Sequence, residues 1–124
     1  MAGWETEPSR VEFEASGFPC LIRRHPSMGF LCGYIGVPES MAARSYDDFA
    51  PAVHGGWTYG ADNAPGEKPD GRVWYGFDCG HAGDLIPTMR LPAFMDDVYR
   101  NVAFVRAELE RVAAELAPKE TSND

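Results

Sequence analysis

Met95-Asp96-Asp97-Val98-Tyr99-Arg100-Asn101-Val102-Ala103-Phe104-Val105-Arg106-Ala107-Glu108-Leu109-Glu110-Arg111-Val112-Ala113-Ala114-Glu115-Leu116 is the stretch that decides the fold. Met95, Val98, Val102, Val105, Leu109, Val112 and Leu116 recur at alternating steps of 3 and 4. That spacing draws one apolar stripe along a helix. It predicts a long amphipathic helix from Met95 to Leu116. Asp96 and Asp97 fall in its expected first turn, where the helix dipole favours carboxylates. Pro118 stops it. A helix with one apolar stripe needs a partner surface, and a sheet is the expected one. A helix-mediated homodimer is the alternative, but the flanking paired charges of a coiled coil are missing.

Upstream, the pattern changes to that of strands. Arg10 to Ala15 alternates polar and apolar residues, as a half-buried strand does. Ser16-Gly17 is a turn signal, and Phe18 to Arg23 follows as a short strand. Pro19 argues for an edge or an irregular start there. Gly29 to Val37 is apolar on both faces, which predicts a central strand. Its Gly29-Phe30-Leu31-Cys32-Gly33 segment reads as close backbone packing. Ser40 is placed to cap a helical turn over Met41 to Arg44. Tyr46 to Phe49 forms an acidic, aromatic loop. Val53 to Gly60 and Arg72 to Cys79 read as two more strands. The Pro-, Gly- and charge-rich loop between them, Ala61 to Gly71, is expected to be exposed and mobile. The fold class is therefore α+β: a small antiparallel sheet of about five strands packed against the C-terminal helix. Residues 1–9 read as a flexible arm, 10–117 as one domain and 118–124 as a disordered tail.

Composition narrows the function. The formal net charge is −8, which argues against a nucleic-acid-binding surface. Arg23-Arg24-His25 is the only dense basic patch. No apolar run reaches the roughly 20 residues of a membrane span. The acidic N-terminal residues do not resemble a signal peptide, so the expected location is the cytoplasm. Cys20, Cys32 and Cys79 are odd in number and widely spaced, which favours reduced thiols over disulfides.

The chemistry-bearing residues flank the mobile loop. Val53-His54-Gly55-Gly56-Trp57-Thr58-Tyr59 precedes it, and Trp74-Tyr75-Gly76-Phe77-Asp78-Cys79-Gly80-His81-Ala82-Gly83-Asp84 follows. An antiparallel hairpin with His54 opposite Asp78 also pairs Gly56 with Gly76 and Thr58 with Trp74. One face then carries His54, Gly56, Thr58, Trp74, Gly76 and Asp78 as a ligand-binding groove floored by glycine. The other face carries Trp57, Tyr59, Tyr75 and Phe77 for the helix. The competing structural reading is a β-bulge at Gly55-Gly56, with His54 hydrogen-bonded to Asp78. His54, Cys79, His81 and Asp84 are candidate ligands for a divalent metal such as zinc, although no standard motif spacing is present. Asp84 capping a turn and Cys79 as a buried small hydrophobe are the plain alternatives. Cys79 is also a candidate nucleophile, with His54 or His81 as base. No cofactor is demanded by any of these segments.

The order of several segments resembles a family of small uncharacterised bacteriophage and prophage proteins. They run from Phe18-Pro19-Cys20 through Cys32-Gly33-Tyr34 and His54-Gly55-Gly56-Trp57-Thr58-Tyr59. Gly76-Phe77-Asp78-Cys79-Gly80-His81-Ala82-Gly83-Asp84 and Tyr99-Arg100-Asn101-Val102 complete the set. The chain is shorter than that pattern between Pro38 and Val53 and after Tyr59. The resemblance implies a phage accessory binding protein, such as a counter-defence inhibitor of a host protein. Sequestering a nucleotide-like signal is the related role. A small metal- or thiol-dependent hydrolase using His54, Asp78, Cys79, His81 and Asp84 is the enzymatic alternative. A structural, oligomerising protein is the third.

Overall fold

The computed structural model describes residues 7–80 and 99–117. The chain is α+β. Five strands form one antiparallel sheet: β1 (Arg10–Ala15), β2 (Phe18–Arg24), β3 (Leu31–Pro38), β4 (Tyr59–Ala61) and β5 (Arg72–Asp78). Their order across the sheet is β1-β2-β3-β5-β4, so β3 is central as its two apolar faces predict. A single described helix, α1 (Val102–Leu116), packs on one face. No described helix is long and apolar enough to cross a membrane.

The helix is shorter than its apolar stripe. Asn101 ends the repeat, because its backbone is extended and its side chain accepts a hydrogen bond from Phe104 N at 2.8 Å. That is an N-cap. Asp96 and Asp97 therefore do not lie in the first turn of α1, and they, like Met95 and Val98, lie outside the described residues. The carboxylate at the helix start comes from Glu7, which accepts from Val102 N at 2.9 Å. Glu7 also accepts from the Tyr99 hydroxyl at 2.7 Å and lies 3.9 Å from Arg24. Arg24 N donates to Ser9 O at 2.8 Å. The end of the expected free arm is thus docked on the domain. Trp4 lies outside the described residues, as does the 118–124 tail.

The stripe itself packs as expected. Val105, Leu109 and Val112 are 0 % exposed against β1, β2 and β3. Among the described residues, this part of the stripe is covered within the chain. Gly33 sets how near the helix comes, since a Cβ there would stand 2.8 Å from Val105 Cγ1. The helix covers only half of the sheet. Over β5 its place is taken by the 42–57 segment, where Phe49 stacks on Tyr75 with ring centres 3.8 Å apart and Trp57 meets Phe77 edge-on. A 3-10 turn, Glu39–Met41, leads into that segment, and a second, Tyr46–Asp48, lies within it. Ser40 lies inside the first turn and caps nothing.

The opposite, outer face buries Leu21, Cys32, Tyr34 and Trp74. The sequence predicts an exposed, mobile loop from Ala61 to Gly71, and most of its residues are at least partly exposed. It nevertheless folds over this face and buries Ala64. Asn63 ties it internally, and Trp74 Nε1 donates to Asp70 Oδ1 at 3.1 Å. Pro19 sits in an interior strand after all. Its lack of an N–H is tolerated because it pairs with Glu14 only, and the β3 pairing begins at Cys20.

Candidate functional site

The predicted hairpin register is corrected. Gly76 faces Tyr59, not Gly56. Val53 to Gly56 cannot run as a strand, because Gly56 N turns back to Val53 O at 3.0 Å. Gly55 (φ 72) and Gly56 (φ 84) both hold left-handed backbone. Gly55 is the third residue of this turn, where a positive φ favours glycine, and the strand begins only at Tyr59. The ladder with β5 therefore covers only Tyr59–Ala61, and the alternation of the predicted hairpin does not extend back to His54.

His54 sits in the turn and lies against the helix. Its N donates to Glu108 Oε1 at 2.9 Å, and its ring meets Phe104 edge-on at 5.1 Å. Asp78 lies on the outer face, sharing the alternation of Trp74 while Tyr75 and Phe77 point to the helix. The six-residue groove therefore does not exist as a unit. His54 is on one side; Thr58, Gly76, Asp78 and Trp74 belong to the other, and Gly56 lies in the turn, outside the ladder. Gly76 is no open floor either, because a Cβ there would meet Tyr34 Cδ1 at 2.3 Å. The Tyr34 ring fills that space. Trp74 lies likewise over Gly36 and faces the loop, away from Thr58.

What remains together forms a different site. Thr58 Oγ1 donates to Asp78 Oδ2 at 3.1 Å, and Gly80 N donates to Asp78 Oδ1 at 3.0 Å. Beside this pair is an outer-face recess of about 270 Å³. Cys32 lies between Phe30 and Tyr34 in its lining, which Tyr59, Thr58, Asp78 and His25 share with Gly76 and Phe77. Tyr34 and Tyr59 meet edge to face at 5.2 Å. His25 Nδ1 accepts from Met28 N at 3.0 Å and Ser27 N at 3.3 Å. In the neutral ring this fixes the proton on Nε2.

The thiol and the two phenols lining the recess hold their protons more tightly than usual. Burial pushes the Cys32 thiol up to about 11, against a hydrogen bond from Tyr34 that lowers it. The Asp78 charge raises it further, while Arg23 lowers it. Burial also raises Tyr34, helped by the neighbouring Cys32. Tyr59 is raised by burial and by Asp62. Near neutral pH the recess thus offers a protonated thiol and two phenols that act as hydrogen-bonding groups.

The catalytic and metal readings fare differently. Cys79 is 1 % exposed in the helix-side core. A nucleophilic thiol needs substrate access and an electropositive setting; Cys79 fills the role of a buried small hydrophobe instead. His81 and Asp84 lie outside the described residues. Among the described residues no three of His, Cys, Asp or Glu converge as a metal site. Sequence reasoning missed His25, Phe30, Cys32, Tyr34 and Tyr59 as recess residues. The signal was there in part: Cys32 and Tyr34 share one parity on a strand apolar on both faces. No family model matches the chain, and neither a curated protein nor a solved structure does.

Proposed function

We propose that this is a non-enzymatic binding protein, a phage-type accessory factor that holds a small ligand in the outer-face recess. The observation that carries the reading is the recess itself. It is concave, aromatic-walled and provided with a few convergent polar groups, as small-molecule sites are. Its thiol and phenols are held protonated well above neutral pH, which favours holding a ligand over proton transfer. The resemblance to phage and prophage proteins supports an accessory role in the host cytoplasm, such as sequestering a signal in counter-defence. A second occupant, a basic host-protein surface, is favoured by the net charge of −8.

Native mass spectrometry tests the reading. The protein is incubated with the small-molecule fraction of a bacterial extract. The expected result is a non-covalent adduct, released chemically unchanged on unfolding. Thr58→Trp fills the recess mouth from an exposed position and should abolish the adduct. An altered ligand would overturn the non-enzymatic reading. An adduct kept by Thr58→Trp would overturn the site.

A further inference from the structure

Among the described residues the sheet has two edges, and they differ in how open they are. At one edge β4 is only three residues long, and Tyr46 lies over Gly60, where an added Cβ would meet the Tyr46 Cβ at 2.8 Å. β1 forms the other edge with six residues, and no described strand lies beyond it. Ser16 (φ 50) and Gly17 (φ 88) make a two-residue turn between Ala15 and Phe18, so that closing pair exchanges hydrogen bonds. Such pairs alternate along an antiparallel ladder. Phe13 and Val11 therefore also bond to β2, and Arg10, Glu12 and Glu14 turn their N–H and C=O groups away from it. Arg24 N donating to Ser9 O continues the same alternation. An unpaired strand edge of this kind is a template for another strand.

The side chains along β1 specify the charge of an occupant. Glu12 and Glu14 are exposed on the outer face, while Val11 and Phe13 are half-buried on the helix side. Glu14 has no ion-pair partner among the described residues, and Glu12 has only Arg10, at 2.9 Å. Arg10 also reaches Glu67, at 3.4 Å. Beside Glu12 the outer face holds a groove of about 280 Å³ whose lining includes Leu21, Ala64 and Trp74. It offers the aliphatic stem of a long cationic side chain an apolar surface. A second copy of the chain would bring its own net charge of −8 to this edge, which opposes self-pairing.

We infer that β1 binds an extended basic segment of a partner protein, added to the sheet edge as an antiparallel strand. Lysine or arginine residues of that segment stand opposite Glu12 and Glu14, where opposite charges on one face attract. The residue between them faces Phe13 and is apolar. The basic residues also exchange backbone hydrogen bonds with Glu12 and Glu14, because residues directly opposed on the outward side form the bonded pairs. This surface is separate from the recess, and the inference does not depend on the recess holding a ligand.

Fluorescence anisotropy with a labelled peptide of alternating lysine and valine tests the inference. At low ionic strength the peptide should bind, its glutamate–valine counterpart should not, and added salt should weaken the complex. Glu14→Lys should weaken binding roughly fivefold to tenfold, because a cross-strand attraction becomes a repulsion. Glu14 is exposed, so the unfolding midpoint of the variant should stay where it is. On the unaltered protein, N-methylation of the lysine amides should remove binding, and N-methylation of the valine amides should leave it. Any other pattern would overturn antiparallel strand addition. Binding untouched by Glu14→Lys would overturn the charge assignment. A dimer in light scattering that the peptide displaces would give the edge to a second copy and overturn the inference. Thr58→Trp should leave the peptide's affinity unchanged; a loss there would place the peptide in the recess and overturn the edge site.

Discussion

Gly76 shows how much a single missing side chain can decide. The Tyr34 ring lies where a Cβ on Gly76 would be. Gly76→Ala should therefore destabilise the protein by about 1–3 kcal/mol, the range for overpacking a tight core, as measured by urea unfolding. Combining it with Tyr34→Ala should recover part of that loss, because the clash is gone. A double-mutant cycle reads the recovery as a coupling energy. Strict additivity would show that the clash is not the cause. Cys32 and Asp78 act at the same scale. One lines the recess with a protonated thiol, and the other joins the end of β5 to Thr58.

At the scale of the element, α1 depends on two caps from different parts of the chain. Asn101 caps Phe104 N from within the helix segment, and Glu7 caps Val102 N from the N-terminal arm. Asn101→Ala should cost about 1 kcal/mol in unfolding free energy. Glu7→Gln should cost a comparable amount, about 0.3–1 kcal/mol from the helix dipole, with some loss of its Arg24 pairing. Unchanged unfolding midpoints for both variants would show that tertiary packing alone holds the helix. These caps also mark what was legible in the sequence. The stripe from Val102 to Leu116 and strands β1, β2, β3 and β5 follow directly from period and composition. The start of α1 did not, because the apolar repeat continues through Asn101 as though no cap were there. β4 was misread for a related reason. Val53 to Gly60 has strand composition, but Gly55 and Gly56 have left-handed backbone that only the assembled turn reveals. The candidate site inherited that error, since its register was built across those glycines. Thr58, Gly76 and Asp78 were correctly placed on a common side, while His54 was not.

The molecule as a whole carries its titratable burden at high pH. Burial pushes Cys20 up to about 12 and Cys32 up to about 11, both from 9.0. Tyr99 rises to about 12 through burial and its bond to Glu7. Below about pH 9 the folded and unfolded chains both keep these protons. Above it the unfolded chain releases them first, so folding stability should fall as pH rises through about 11–12. Urea unfolding from pH 7 to pH 11 should show a declining free energy, shallower in Cys32→Ala. A flat profile would contradict the burial of these groups.

The β3–β5 ladder reaches further than stability. Gly33 faces Phe77, Tyr34 faces Gly76 and Gly36 faces Trp74, each ring lying over the glycine opposite. A one-residue slip would set each ring against an occupied position, so misregistered pairings carry their own steric veto. Variation is constrained in the same way. A glycine in this ladder can gain a side chain only if the ring across from it shrinks. Among diverged copies of the chain, these positions should change as reciprocal pairs rather than one at a time.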